Sequence, residues 1–352
     1  MAFSDFWNQL KQSPSFRPTR LYIKPQQTDK EDTFFASILP NKHYFTVRIN
    51  EVFLSYSRKW LVTYDPLVFT VAEFTYDGKK VTIPYAVGAT MMKGKMEKVP
   101  EGMVFQDTRV AGLHPYAGGP MALSMVLCRV EQTKYLQRLI DVIEGASSTY
   151  TAAFATIIND YVKIAGVVMK GFESLMGLEE TQALVGFRRE FDVDAGDDFK
   201  AGYYALFNAD GATIDESKLW VLDNRLCYGD TAATAKAFRT EDYVLYSITA
   251  STNRFDEKSL PFYAYWINVS SYANQLSQID EDAWKIIKAK MFALNDMMRL
   301  SPDLVPGQAA QLFEEYKNEI LKIRASKNIL SDLESFEAPS DWEKSAMDVL
   351  NM

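Results

Sequence analysis

Leu67–Val87, LVFTVAEFTYDGKKVTIPYAV, is the stretch on which the fold is decided. Two runs rich in Val, Phe, Thr, Ile and Tyr, Leu67–Tyr76 and Lys80–Val87, flank Asp77-Gly78. Asp-Gly between β-type runs is a strong short-range hairpin signal, because a two-residue turn needs positive φ at both central positions. Neighbouring strands are therefore expected to run antiparallel.

The pattern continues outward on both sides. His43–Tyr56 is a long run of Phe, Val, Ile and Tyr with polar residues interleaved, and Val104–Leu113 and Met121–Val130 add two further strands. Strands at this spacing predict a β-sandwich or jelly-roll-like domain over 21–131. From 132 to 182 the period changes to helical. Tyr135, Leu136, Leu139, Ile140 and Ile143 repeat every three to four residues up to Gly145, and a second helix is expected from about Tyr150 to Met176. The latter is apolar over most of its circumference and rich in Ala and Gly. It reads as a central helix held between two β-rich parts.

A second β-rich segment is expected over 183–270, with Gly202–Phe207, Leu219–Leu222, Leu226–Tyr228 and Tyr243–Thr249 as its better strands. Residues 271–352 read as helical. Asp280 can cap a helix whose Trp284, Ile287, Met291, Leu294 and Met298 form a heptad-like stripe. A further helix, about Gly307–Lys327, carries Leu312, Tyr316, Ile320 and Ile323 on one face. The class is thus α+β: an antiparallel N-terminal sandwich, a helical pair, a second β-rich segment and C-terminal helices.

Two short terminal elements are expected to dock on other surfaces. Ser4–Gln12, within a lead-in of residues 1–20, places Phe3, Phe6, Trp7 and Leu10 on one side. Near the other end, Ser340-Asp-Trp-Glu343 after Pro339 matches the capping box and starts a helix bearing Trp342, Met347, Val349 and Leu350. Helices this short do not stand alone in water.

Composition removes several functions. The chain has 352 residues with 2 His and 2 Cys, too few for a four-thiolate zinc site, a zinc finger or a disulfide framework. Cys128 and Cys227 lie far apart in apolar, strand-like contexts, as buried thiols of a reducing cytoplasm would. No basic, apolar leader opens the sequence, and the charge-free stretches Ser259–Ile279 and Val110–Cys128 are interrupted by Pro and polar residues, so a cytoplasmic location is expected. Net charge is −8, divided as +4 over residues 1–131 and −12 over 132–352, which can steer copies head to tail. Nucleic-acid binding is not expected, since basic residues cluster only at Arg58-Lys59 and Lys93, Lys95 and Lys98.

Few residues offer chemistry. Gly88–Met96 fails as a phosphate loop, because five residues separate its glycines and Met96 stands where a magnesium-binding hydroxyl belongs. Asp192, Asp194, Asp197 and Asp198 surround Gly196 and have the composition of a calcium loop without the EF-hand pattern. A solvated acidic connection between helix and strand is the favoured account of them, so no cofactor is assigned. His114, within Ala111–Pro120, is the one histidine expected in a loop, where it can serve as an acid or base or simply shape a turn.

Three functions follow. The favoured one is a non-catalytic structural or interaction protein that assembles with itself or with partner proteins through terminal helices and bipolar charge. The second is an effector or adaptor of a bacterial conflict or phage-defence system, touching a membrane or partner through helix 150–176, whose Asp160 and Lys163 oppose membrane contact at rest. The third is a hydrolase with a loop-based site near His114.

Overall fold

In the computed structural model, β4 (Val62–Tyr76) and β5 (Lys79–Val87) are joined by Asp77 and Gly78 at φ of 50° and 67°. Tyr76 pairs with Lys79, which makes the two-residue turn the sequence calls for. The structure describes residues 18–30, 32–55, 58–59, 62–88, 108–152, 158–191, 199–209 and 211–336. Two units make up the chain, dividing after Arg254.

In the first unit, β4 is buried without a break from Asp65 to Ala72 because both of its faces are covered. On one face Phe69 stacks on Phe172, with centroids 3.7 Å apart and planes 4° from parallel. On the other, Phe74 meets Phe45 edge-on at 5.3 Å. β4 lies in a sheet ordered β5-β4-β7-β8, with β7 spanning Met121–Glu131 and β8 Thr181–Phe191, and a short β3 (Arg58–Lys59) pairs with its first residues.

The facing sheet is ordered β1-β9-β13-β2-β6 and every pairing is antiparallel. Its members are β1 (Pro18–Ile23), β2 (Tyr44–Phe53), β6 (Thr108–Pro115), β9 (Gly202–Asn208) and β13 (Tyr243–Ser251). One apolar core joins the two sheets, drawing Val47 and Ile49 from β2, Leu206 from β9 and Ile248 from β13. The expected sandwich is therefore present, but strands of 21–131 and of 183–270 share both sheets. The two segments build one unit, since antiparallel partners need not be close in sequence.

The helical pair consists of α1 (Lys134–Ala152) and α2 (Ile158–Met176). Two expectations are corrected here. The first helix does not stop at Gly145: its next turn is held to β5, where the Ser147 hydroxyl accepts from the Ala86 N–H at 3.0 Å and Glu144 accepts from the Gly88 N–H. Nor does α2 lie between two β-rich parts. Val168, Phe172 and Leu175 are buried against the first sheet, whereas Val167 and, on α1, Tyr135 and Val142 are exposed. The pair is an outer layer. No helix among the described residues is long and apolar enough to cross a membrane.

A third sheet of β10 (Leu219–Leu222), β11 (Arg225–Tyr228) and β12 (Lys236–Ala237) covers the other face of the β1-β9-β13-β2-β6 sheet. A one-residue bulge in β2 makes the join: Leu245 pairs with Glu51 and Tyr246 with Ile49, so Asn50 is the extra residue. The bulge aims Glu51 outward. Its carboxylate, fully buried, accepts from the Leu226 N–H at 2.7 Å and from Arg239 Nη2 at 2.7 Å. Arg239 also donates to the Tyr243 hydroxyl at 2.6 Å. Burial, and then the Glu51 carboxylate, push the Tyr243 phenol well above its ordinary value.

The second unit is helical: α3 (Pro261–Gln275), α4 (Glu281–Arg299) and α5 (Pro306–Phe336). α3 corrects the reading of 183–270 as β-rich to its end. Its Tyr, Phe, Trp, Ile and Val are strand formers by propensity, yet Phe262, Trp266, Val269 and Ala273 recur at helical spacing and are the buried residues. Periodicity prevails over propensity where a face must be buried. The antiparallel sheets and these helices together make the protein α+β.

Candidate interaction groove in the helical unit

The Asp280 carboxylate caps α4, accepting from the Ala283 N–H at 2.8 Å, and Glu281 and Asp282 occupy the positive end of the helix dipole. The predicted stripe is the core face, with Ile287, Met291, Leu294 and Met298 buried. On α5, Leu312, Tyr316 and Ile320 meet it. α3 packs on one side of this seam, where Trp266 stacks on Tyr316 at 4.4 Å and 9°.

The other side of the α4–α5 seam is an open groove of about 270 Å³. Trp284, Lys288 and Phe292 of α4 face Phe313, Lys317 and Leu321 of α5, with Met291 and Ile320 shared with the core. Phe292 is 68% exposed and Leu321 43%. One end is closed by Arg324, which lies 4.3 Å over the Trp284 ring and 3.0 Å from Glu281. A volume below the ~300–1,000 Å³ of enclosing ligand clefts, with half-exposed walls, suits side chains of a docked segment better than a swallowed small molecule.

The sequence named Trp284, Met291 and Ile320 but missed the groove. Its signal is a doubled stripe: Phe292 beside Met291, Phe313 beside Leu312 and Leu321 beside Ile320. Each second residue lies about 100° around the helix from a core residue, too far to share its burial. A helix with one covered face needs only the first of each pair.

The other candidates fall elsewhere. His114 is not in a loop. It pairs with Phe45 in the β6–β2 ladder, is 6% exposed, and lies between the rings of Phe74 at 4.7 Å and Phe45 at 5.9 Å. The glycine two residues before it serves the backbone: Gly112 has φ of 96°, and a Cβ there would strike the Phe45 carbonyl. An imidazole enclosed in this way does not face a solvent-borne substrate.

His43, just before β2, accepts from the Leu39 N–H at 2.9 Å through Nδ1. Burial, with Lys42 nearby, lowers its pKa. Cys128 and Cys227 are free and buried, and burial raises both thiols, leaving them protonated and poorly nucleophilic. Asp192, Asp194, Asp197 and Asp198 lie outside the described residues, as do Lys93, Lys95 and Lys98 and the docking residues Phe3, Phe6, Trp7, Leu10, Trp342, Met347, Val349 and Leu350. Among the described residues, no three His, Cys, Asp or Glu side chains come together as a metal site.

An α+β sandwich with an outer helical pair and a separate helical unit bearing a groove is the class defined by these observations. Compared with protein-family models, curated proteins and solved structures, the chain has no match in any of the three.

Proposed function

We propose that the chain is a non-catalytic structural or interaction protein that assembles with copies of itself through its helical unit. The observation that carries this reading is the apolar groove between α4 and α5, with Phe292 and Leu321 open to solvent over it and lysines on both rims. Single exposed apolar residues are ordinary on a protein surface. Convergence of several onto one groove between two helices is the anatomy of a docking site, with an apolar centre and a polar rim.

Light scattering of the purified chain tests the reading. The expected mass exceeds the 40.0 kDa of one chain. Phe292→Glu is expected to lower it to that of one chain while changing stability by no more than about 0.5 kcal/mol, because the side chain is largely exposed. A single-chain mass for the parent protein, unaltered at low salt, sinks the proposal.

A further inference from the structure

The floor of the groove is apolar and its rims are cationic, Lys288 on α4 and Lys317 on α5. Lys317 also pairs with Glu314 at 2.7 Å, an exposed pair of the weak kind that exchanges readily. The sequence after α5 has the complementary chemistry. Residues 337–352 carry Glu337, Asp341, Glu343 and Asp348 against Lys344, a net −3. In a helix started by the Ser340–Glu343 capping box, Trp342, Ala346, Val349 and Leu350 share a stripe about 100° wide. Glu343 lies on one flank of that stripe, and Asp341 and Asp348 lie on the other. Acids on both flanks match lysines on both rims. The other apolar terminal segment, with Phe3, Phe6, Trp7 and Leu10, offers only Asp5 against Lys11 and lacks this match.

Reach decides which copy supplies the segment. From Leu321 to Phe336, α5 rises about 22 Å. Residues 337–339 span at most about 10 Å when extended. Crossing to a helix packed about 8–10 Å away uses that span up, so a helix returning from Ser340 along its own α5 carries Val349 back only about 14 Å, short of Leu321. A parallel return would need to travel further still. We propose that segment 337–352 of one copy seats in the α4–α5 groove of a second copy. Reciprocal exchange closes the pair about a two-fold axis. This inference rests on the self-assembly reading and names its contact.

The test uses two full-length single-cysteine variants, Leu321→Cys and Val349→Cys, mixed and then oxidised. The native thiols, Cys128 and Cys227, are buried. A covalent dimer that forms in the mixture and not in either variant alone is the expected result. Adding Lys288→Glu and Lys317→Glu to the groove partner is expected to reduce its yield about tenfold. A double variant carrying both cysteines that forms only an internal disulfide overturns the proposal, as does a mixture that stays unlinked. Light scattering on the same samples separates the two readings. An unlinked mixture that still assembles ends this proposal and leaves self-assembly standing, whereas an unlinked monomer ends both.

Discussion

Glu51→Ala is expected to destabilise the first unit by about 2–4 kcal/mol, the cost of leaving a buried amide without its acceptor together with the loss of a partly buried ion pair. The carboxylate is fully buried and is held by Arg239 and by the Leu226 N–H, so the variant strands a buried backbone donor and takes from Arg239 its carboxylate partner, leaving it the Tyr243 hydroxyl. It also unfastens the three-stranded sheet from β2, because Leu226 lies in β11. Glu51→Gln keeps an acceptor for the amide and is expected to cost less, about 1–2 kcal/mol. Urea unfolding of both variants measures the difference. Equal losses would mean that the charge of Glu51 contributes nothing, and a loss below 1 kcal/mol for alanine would refute the network as a fastening.

Phe172→Ala is expected to cost about 3–5 kcal/mol by opening a cavity between α2 and β4. Phe172 is buried, and its ring lies flat on Phe69, so deletion removes burial and stacking together. The same substitution bears on whether α2 docks firmly at rest. Hydrogen exchange in α2 should rise sharply in the variant while the β4–β7 ladder stays protected. A cost under about 1 kcal/mol would mean that the helical layer is loosely held, and would revive a helix that can be released.

Much of the fold was legible in local signals. Asp77-Gly78 specified its hairpin, Asp280 its helix start, and the spacing from Trp284 to Met298 a buried face. What stayed hidden was non-local. Nothing near Gly202–Asn208 or Tyr243–Ser251 states that these strands pair with β1 and β2, since pairing depends on complementary faces and not on neighbouring residues. Gly145 read as a stop because the partners that its neighbours Glu144 and Ser147 find across the layer, Gly88 and Ala86, could not be seen. His114 read as a loop residue because the Gly and Pro around it are turn formers, whereas Gly112 in fact lets β6 pass close to Phe45. The groove was hidden for a related reason. Apolar residues beside a core stripe look like a generous core until the position of α3 shows which side of the seam it covers.

Phe292 is the residue at which the assembly account is most exposed to test. Hydroxyl-radical footprinting of the full chain, from low to high micromolar concentration, reports directly on whether that ring is covered. Tyr135 on α1, 66% exposed, is the internal reference. The account predicts that labelling of Phe292 falls as concentration rises while that of Tyr135 holds steady. Equal labelling of Phe292 at every concentration, in a protein whose mass stays that of one chain, would contradict it.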